Sequence, residues 1–324
     1  MKPCKAFIIT DTNVAPLYLE TAENALQKAG FTTAAHVFPA GEKSKTIDAV
    51  VNMVEDMANE QLCRTDCVIA LGGGVVGDMA GFASAIYMRG IDFVQLSTSL
   101  LSDIDSSVGG KTGCDLENGK NLVGAFHQPK MVIIDTDTLD TLTEHFKSDG
   151  MGEMIKYGAI RSADLFERLE KSEPFADLDQ NICECVEIKA DIVERDFREN
   201  NQRTLLNFGH TVGHAIEKLE NFEGLSHGAA VAIGMCAITR AAEKVELCHL
   251  GNAARIEALC RKYGLPTDHS ATPEEIEDGA MYDKKRLGNR VVLALIRKIG
   301  DSFVCPIASN DLHQLLDGCI GNKR

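Results

Sequence analysis

No apolar run in this 324-residue chain approaches the length needed to cross a membrane, and no excess of basic residues marks it as a binder of polyanions. Lysine and arginine total 33 against 48 aspartates and glutamates, so the net charge of −15 argues against nucleic acid or an anionic membrane as partner. Cys-x-x-Cys is also missing. Cys63 and Cys67 have three residues between them, Cys183 and Cys185 one, and neither has a matching second pair. An odd total of eleven cysteines in this setting reads as free, mostly buried thiols, not as a disulfide framework or a structural zinc site. Internal repeats and low-complexity tracts are absent too. The segment Met1-Lys2-Pro3-Cys4-Lys5-Ala6-Phe7 turns polar at Thr10-Asp11, too early for a signal peptide, so the expectation is a cytoplasmic protein. With 44% hydrophobic and 25% charged residues, it has the composition of a globular chain long enough for two domains.

The first third alternates strands and helices. Lys5 to Thr10 reads as a strand ending in the polar turn Asp11-Thr12-Asn13, and Leu17 to Ala29 as a helix capped by Gly30. Ala34 to Phe38 is a second strand, and the helix carrying Ile47, Val50, Val51, Met53 and Val54 leads to a third, Cys67 to Leu71. This alternation predicts a mostly parallel sheet covered by helices. The third strand runs into Gly72-Gly73-Gly74-Val75-Val76-Gly77-Asp78, a Gly-x-Gly-x-x-Gly loop compatible with a pyrophosphate at a helix N-terminus. It follows two earlier strand–helix units, whereas the usual dinucleotide fingerprint lies on the first, and Asp92 only begins the next strand, Asp92 to Thr98. A short helix is expected from Leu101 to Asp105, and a last strand from Met131 to Asp135.

Between those strands lie Ser106-Ser107-Val108-Gly109-Gly110-Lys111-Thr112-Gly113 and Gly119-Lys120-Asn121. Glycine lets backbone N–H groups turn toward an anion and lysine adds a mobile charge, so the two units suit one phosphate or carboxylate cradle; a pair of tight surface turns is the alternative.

Beyond Thr138 the texture becomes helical, with amphipathic patterns over Leu165 to Arg195, Leu206 to Leu219, Ala230 to Ala242 and Asn252 to Tyr263, and a small hairpin over Val291 to Ile296 and Ser302 to Cys305. The boundary falls between Leu139 and Gly150, giving an α/β domain over 1–145 and a mainly helical domain over 146–324. The helical half holds a second set of chemistry-bearing residues. Glu153 and Lys156 are three apart. His210 and His214 are four apart, the spacing at which helical imidazoles can converge on one ion, and His227 follows in Ser226-His227-Gly228-Ala229. A carboxylate with two or three histidines fits an open zinc site, with polar helix ends as the alternative. Lys189, in Glu187-Ile188-Lys189-Ala190-Asp191, reads by itself as an ordinary exposed helix residue.

Together these motifs resemble the 3-dehydroquinate synthase family of sugar-phosphate cyclases, through Gly41-Glu42 with Lys45, Gly72 to Asp78, Met88-Arg89-Gly90, Thr98 to Leu101, Asp105 to Gly113, Gly119 to Gly124, Gly152 to Gly158, Arg203 to His214, His227-Gly228 and Asp283-Lys284-Lys285. The resemblance implies an N-terminal α/β nucleotide-binding domain and a mainly α-helical C-terminal metal-binding domain, with the site in the cleft between them. It implies Zn2+ or Co2+ held by Glu153, His210 and His227, and His214 beside the substrate. NAD would be lined by Asp11, Asn13, Glu42, Lys45, Gly73, Gly74, Val75, Asp78, Thr98 and Ser99, with Asp105, Lys120 and Thr141 nearby. Lys111, Asn121, Lys156, Lys189, Arg203, Asn207 and Lys284 or Lys285 would face the sugar phosphate, and Arg89 a neighbouring subunit's site in a homodimer. The implied reaction converts 3-deoxy-D-arabino-heptulosonate 7-phosphate to 3-dehydroquinate by transient oxidation, phosphate elimination, reduction and aldol closure, placing the chain in the shikimate pathway. A related cyclase, a metal-dependent polyol dehydrogenase of the same fold and a non-catalytic homologue are the alternatives. Three departures stand out: the first strand begins almost at once, Ala229 replaces the usual glutamate after His-Gly, and Ser99 replaces a threonine.

Overall fold

The computed structural model describes residues 2–197, 202–221, 224–284 and 290–321, the side chains of 281–284 excepted. They form two compact units, residues 1–142 and 143–324. None of the described helices is long and apolar enough to cross a membrane.

The first unit runs β1 (Lys5–Asp11), α1 (Ala15–Lys28), β2 (Thr32–Phe38), α2 (Ile47–Asn59), β3 (Cys67–Gly72), α3 (Gly74–Ile86) and β4 (Asp92–Ser97), then β5 (Lys111–Leu116), β6 (Gly119–Phe126) and β7 (Met131–Ile134). Five strands make a parallel sheet in the order β2-β1-β3-β4-β7. Its strands read as continuous apolar runs because both faces are covered. Phe7, Ile9, Val68 and Ala70 pack with Val50, Met53 and Met57 of α2 and with Val76, Met79, Ala80 and Ala83 of α3. Ala6, Ile8, Ile69 and Leu71 face the other way, toward Tyr18, Leu19, Ala22 and Leu26 of α1. Helix α3 is buried along most of its length, consistent with its all-round apolar and glycine sequence.

This strand order explains the unusual place of the glycine loop. The sheet grows in one direction from β1 to β2 and in the other from β3 to β4, so the reversal lies between β1 and β3, and ligands of open α/β sheets bind beyond the strand ends at such a point. The loop on the third strand and the turn at Asp11 to Asn13 therefore flank the same position.

Two expectations for this half take a definite form. The lysine–glycine segment is not a pair of isolated turns, since Lys111 and the Gly119-Lys120-Asn121 unit stand on paired strands. Strands β5 and β6 form a separate antiparallel hairpin, pairing Lys111 with Phe126 and Gly113 with Gly124. Its exposed, glycine-rich outer strand lacks the apolar alternation that would have announced it. The expected short helix after β4 is present and takes the form of a π-helix at Ser102–Ser106.

That turn holds Asp103, whose carboxylate is fully buried. Burial pushes its carboxyl from 3.8 up to about 7. Because the folded value lies above the unfolded one, the contribution to stability is full at acid pH and is lost as pH rises from about 4 through 7. Asp103→Asn is therefore expected to gain on the parent by about 3 kcal/mol between pH 5 and pH 8 in denaturant titrations. A difference that does not change with pH would show that Asp103 ionises freely.

The second unit runs α4 (Glu144–Arg161), α5 (Ala163–Lys171), α6 (Leu178–Arg195), α7 (His210–Leu219), α8 (His227–Lys244), α9 (Asn252–Lys262), α10 (Pro273–Lys284), the hairpin β8 (Arg290–Lys298) with β9 (Asp301–Ala308), and α11 (Leu312–Leu316). The pattern expected as one helix from Leu165 to Arg195 is two, because α5 ends before Ser172 and Pro174 and the chain re-enters α6 through Asp177 at φ +54°. The pattern from Leu206 to Leu219 also breaks. A 3-10 turn at Gln202–Asn207 is followed by Gly209 at φ +82°, so α7 begins at His210 itself. Helix α8 is the central element, apolar on all sides and buried from Gly228 to Thr239. All eleven cysteines are free and most are buried.

Candidate metal centre and glycine-rich loop

Helix α4 contributes Glu153, and a close helix crossing sets its position. A methyl group at Gly152 would stand 2.5 Å from the carbonyl oxygen of Gly228, so only glycine lets α4 and α8 approach this closely. The Gly228 amide donates to Asp149 Oδ1 at 2.6 Å, tying the same crossing. Glu153 lies next to Gly152 and His227 next to Gly228, and the crossing thus brings these two side chains together. His210 enters from the first turn of α7.

One ligand atom from each of Glu153, His210 and His227 lies within 4.8 Å of the others. Glu153 is completely buried, and Nε2 of His210 and of His227 stand 3.4 Å and 3.5 Å from its Oε1. The ring nitrogens are oriented from behind. Nδ1 of His210 is 3.2 Å from the Phe208 carbonyl, and Nδ1 of His227 is 3.4 Å from Oε1 of Glu217. A carbonyl and a carboxylate only accept, so each Nδ1 carries a proton, and Nε2 is the ring atom of each histidine turned toward Glu153. Neither oxygen of Glu153 has a well-formed hydrogen bond. A buried carboxylate without one, facing two imidazole nitrogens, fits the donor set of an open zinc or cobalt site. Neither group of described residues able to hold an ion includes a cysteine.

Lys156, on the same face of α4, is buried and ion-paired to Glu153. Burial opposes the charge on Glu153, but Lys156, His210 and His227 outweigh it and hold the carboxyl well below its usual range. Burial pushes His210 down to about 3, against the pull of Glu153. His227 is also opposed by burial, yet its contacts with Glu153 and Glu217 push it up to about 10.

In the first unit, the N-terminus of α3 begins at Gly74 after Gly73, with no side-chain cap and no acidic residue in its first turn. Its free N–H groups and positive dipole end suit a pyrophosphate. Methyl groups at Gly73 and Gly74 would each stand 3.1 Å from a hydroxyl, those of Ser99 and Ser106, so the glycines leave the loop open between serines. Lys45 is buried and donates to Asp78 Oδ2 at 2.6 Å and Asn121 Oδ1 at 2.7 Å. Burial works against its charge, but Asp78 and Glu42 outweigh that and hold the ammonium above its usual range. Asn121, at φ +54°, also donates its amide to Asp115 Oδ1 at 2.6 Å, so the hairpin tip is clamped to the helix that carries the glycine loop.

Two family models cover most of the chain: 3-dehydroquinate synthase N-terminal over residues 35–148, and 3-dehydroquinate synthase C-terminal over 150–286. The 3-dehydroquinate synthase of Clostridium acetobutylicum is 43% identical over 317 residues, spanning 96% of this chain and 89% of that protein. That of Clostridium perfringens (strain 13 / Type A) is 46% identical over 284 residues, spanning 86% and 81%. This chain belongs to the 3-dehydroquinate synthase family. Among solved structures, ValA, the 2-epi-5-epi-valiolone synthase of Streptomyces hygroscopicus with NAD+ and Zn2+ bound, superposes with a TM-score of 0.89 at 25% identity, covering 98% of this chain and 91% of that one. A 2-deoxy-scyllo-inosose synthase complexed with carbaglucose-6-phosphate, NAD+ and Co2+ gives 0.85 at 24%, with the same coverage, and shares the fold.

The structure distributes the remaining candidates of the 3-dehydroquinate synthase pattern between its two units. In the first, Asp11 accepts from the amides of Asn13 at 2.8 Å and Val14 at 3.0 Å, holding the turn after β1. Lys120 pairs with Glu42 at 3.3 Å, the Thr141 hydroxyl is 2.6 Å from that of Tyr18, and Thr98 is buried after β4. Val75 lies in the first turn of α3 and Asp105 in the π-type turn, while Lys111 is exposed at the start of β5. Arg89 follows Met88 in a turn where both hold left-handed backbone, at φ +67° and +50°, a strain typical of functional positions. In the second unit, Arg203 is buried and donates to the Phe197 carbonyl at 2.7 Å, and Asn207 ends the 3-10 turn before the Gly209 break. Lys284 ends α10, and Lys285 lies outside the described residues.

Lys189 and His214 sit differently from what the residues alone suggested. Lys189 is not an exposed helix lysine; it is buried on the apolar face of α6 with Ile182, Cys185, Ile192 and Val193. That face was readable as a period of three and four residues. His210 and His214 fall in different groups of described residues able to hold an ion, and His214 is half exposed. It groups instead with Glu217 and His227. Glu217 was missed. It lies three residues after His214 and seven after His210, on the same helix face, and that spacing was the available signal.

Proposed function

We propose that this chain is a 3-dehydroquinate synthase acting as a carbon–oxygen lyase, which converts 3-deoxy-D-arabino-heptulosonate 7-phosphate to 3-dehydroquinate and phosphate. The observation that carries the reading is the Glu153, His210 and His227 donor set in a chain of this family. Bound NAD supplies a reversible hydride acceptor, and bound zinc or cobalt acts as a Lewis acid toward a substrate oxygen.

The protein's own part is binding, orientation and charge. The α3 N-terminus and Gly73 to Val75 would hold the NAD pyrophosphate, with the turn of Asp11 and Asn13 across the sheet reversal and Glu42, Lys45, Asp78, Thr98, Ser99, Asp105, Lys120 and Thr141 completing that half. Lys156 balances the buried charge of Glu153. Lys111, Asn121, Lys189, Arg203, Asn207, Lys284 and Lys285 would take the anionic substrate, whose carboxylate and phosphate need several cations in a protein of net charge −15. His214, half exposed, is suited to hydrogen-bond a substrate oxygen. Elimination leaves a proton to be accepted, and the departing phosphate's own oxygens can accept it, so a lysine-rich site suffices. The strained turn at Arg89 supports its placement in a partner subunit's site in a homodimer.

The test is phosphate release from the heptulosonate phosphate. Turnover is expected to require catalytic NAD without net NADH, to fall to background after chelation, and to return with zinc or cobalt. Activity that survives prolonged chelation, or net NADH formed from a simple polyol, would overturn the reading.

A further inference from the structure

Glu217 is a charged side chain buried in α7, and burial of a carboxylate is costly unless groups nearby answer it. Its two oxygens face two imidazoles: Oε1 is 3.4 Å from His227 Nδ1, and Oε2 is 4.0 Å from His214 Nε2. His227 is thus held between carboxylates, with Nε2 toward Glu153 and Nδ1 toward Glu217. The two histidine ligands differ in this respect, since the Nδ1 of His210 meets only a backbone carbonyl. The residue after Gly228 cannot do the work of Glu217, being Ala229, with a methyl side chain.

We propose that Glu217 is the positioning residue of the metal centre: it accepts the Nδ1–H of His227, fixes the tautomer that leaves Nε2 free to bind the ion, and raises the basicity of that nitrogen. The physical basis is general. A ligating imidazole whose second nitrogen donates to a carboxylate is a stronger and better oriented ligand, and loss of that outer partner costs metal affinity without removing a ligand. The inference rests on the assignment of Glu153, His210 and His227 as the metal ligands.

The experiment measures the dissociation constant for zinc, added alone to the metal-free full-length chain, by competition with a chromophoric chelator. Glu217→Gln, which retains an acceptor oxygen but no charge, is expected to weaken zinc by about 10-fold, and Glu217→Ala by about 100-fold. Imidazole 15N and 1H signals of His227 in the zinc-loaded chain, where Nε2 is taken up by the ion, report the Nδ1–H directly. They are expected to show a hydrogen-bonded, slowly exchanging Nδ1–H in the parent and a rapidly exchanging one in Glu217→Ala. Should the alanine variant fail to fold, the glutamine variant decides. Parental zinc affinity in Glu217→Gln, with His227→Ala unable to bind zinc, overturns this inference and leaves the metal centre standing. Failure of the parent to bind zinc overturns both. Weaker zinc binding matched by an equal fall in the melting temperature of the metal-free chain assigns Glu217 a structural role and also overturns it.

Discussion

Glu153→Gln is expected to strip the protein of its divalent ion, to lower turnover by about a thousandfold or more, and to destabilise the metal-free chain by about 3–5 kcal/mol. The three effects share one cause. The substitution keeps the volume of the side chain, so no cavity forms, but it removes the negative charge that faces Lys156 and the ring nitrogens of His210 and His227. Lys156 is about as buried as Glu153, and a buried ammonium that loses a facing carboxylate keeps the cost of its lost hydration. A metal ion without its anionic ligand retains two neutral imidazoles, too few for an open tetrahedral site. Elemental analysis, phosphate-release kinetics and thermal unfolding check each part. Stoichiometric zinc with near-parental turnover would remove Glu153 from the centre, and unchanged melting would show that Lys156 does not depend on it.

Lys111→Ala is expected to lower phosphate release by about 100- to 1,000-fold, with zinc content and melting temperature unchanged. Lys111 is exposed, so truncation leaves no cavity and no unanswered buried charge, and it lies in the compact unit that does not contain Glu153. Its expected contribution is to the charge that builds on the departing phosphate, and the loss should fall mainly on kcat. Arginine should restore little, because the role needs a compact point charge at a fixed distance from the hairpin. A variant that loses zinc, or that keeps full activity, would show the role to be misassigned.

Particular residues show how much of this was readable beforehand. The parallel sheet was legible because its strands are short apolar runs separated by amphipathic helices, and Glu153, His210 and His227 because they sit beside glycines in motifs with a family resemblance. The β5–β6 hairpin was not legible. Backbone hydrogen bonds hold it together, and its outer strand is exposed and rich in glycine, so side-chain alternation carried no signal. Lys189 was misread because charge was given more weight than its place on an apolar face.

By itself, then, the sequence determined which segments become helix or strand, which loops can approach an anion, and which residue types are available for chemistry. These are local properties, set by periodicity over a few residues and by the freedom of glycine. The tertiary structure decided the rest. It put the sheet reversal beside the third strand, so that the glycine loop lies at the reversal although it follows the third strand and not the first. It brought α4 and α8 to backbone contact at Gly152 and Gly228, and so joined Glu153 to His227 across more than seventy residues of chain. It also set Glu217 behind His227 while turning His214 outward, a choice that depends on which face of α7 is covered by α8, and therefore on packing between segments distant in sequence.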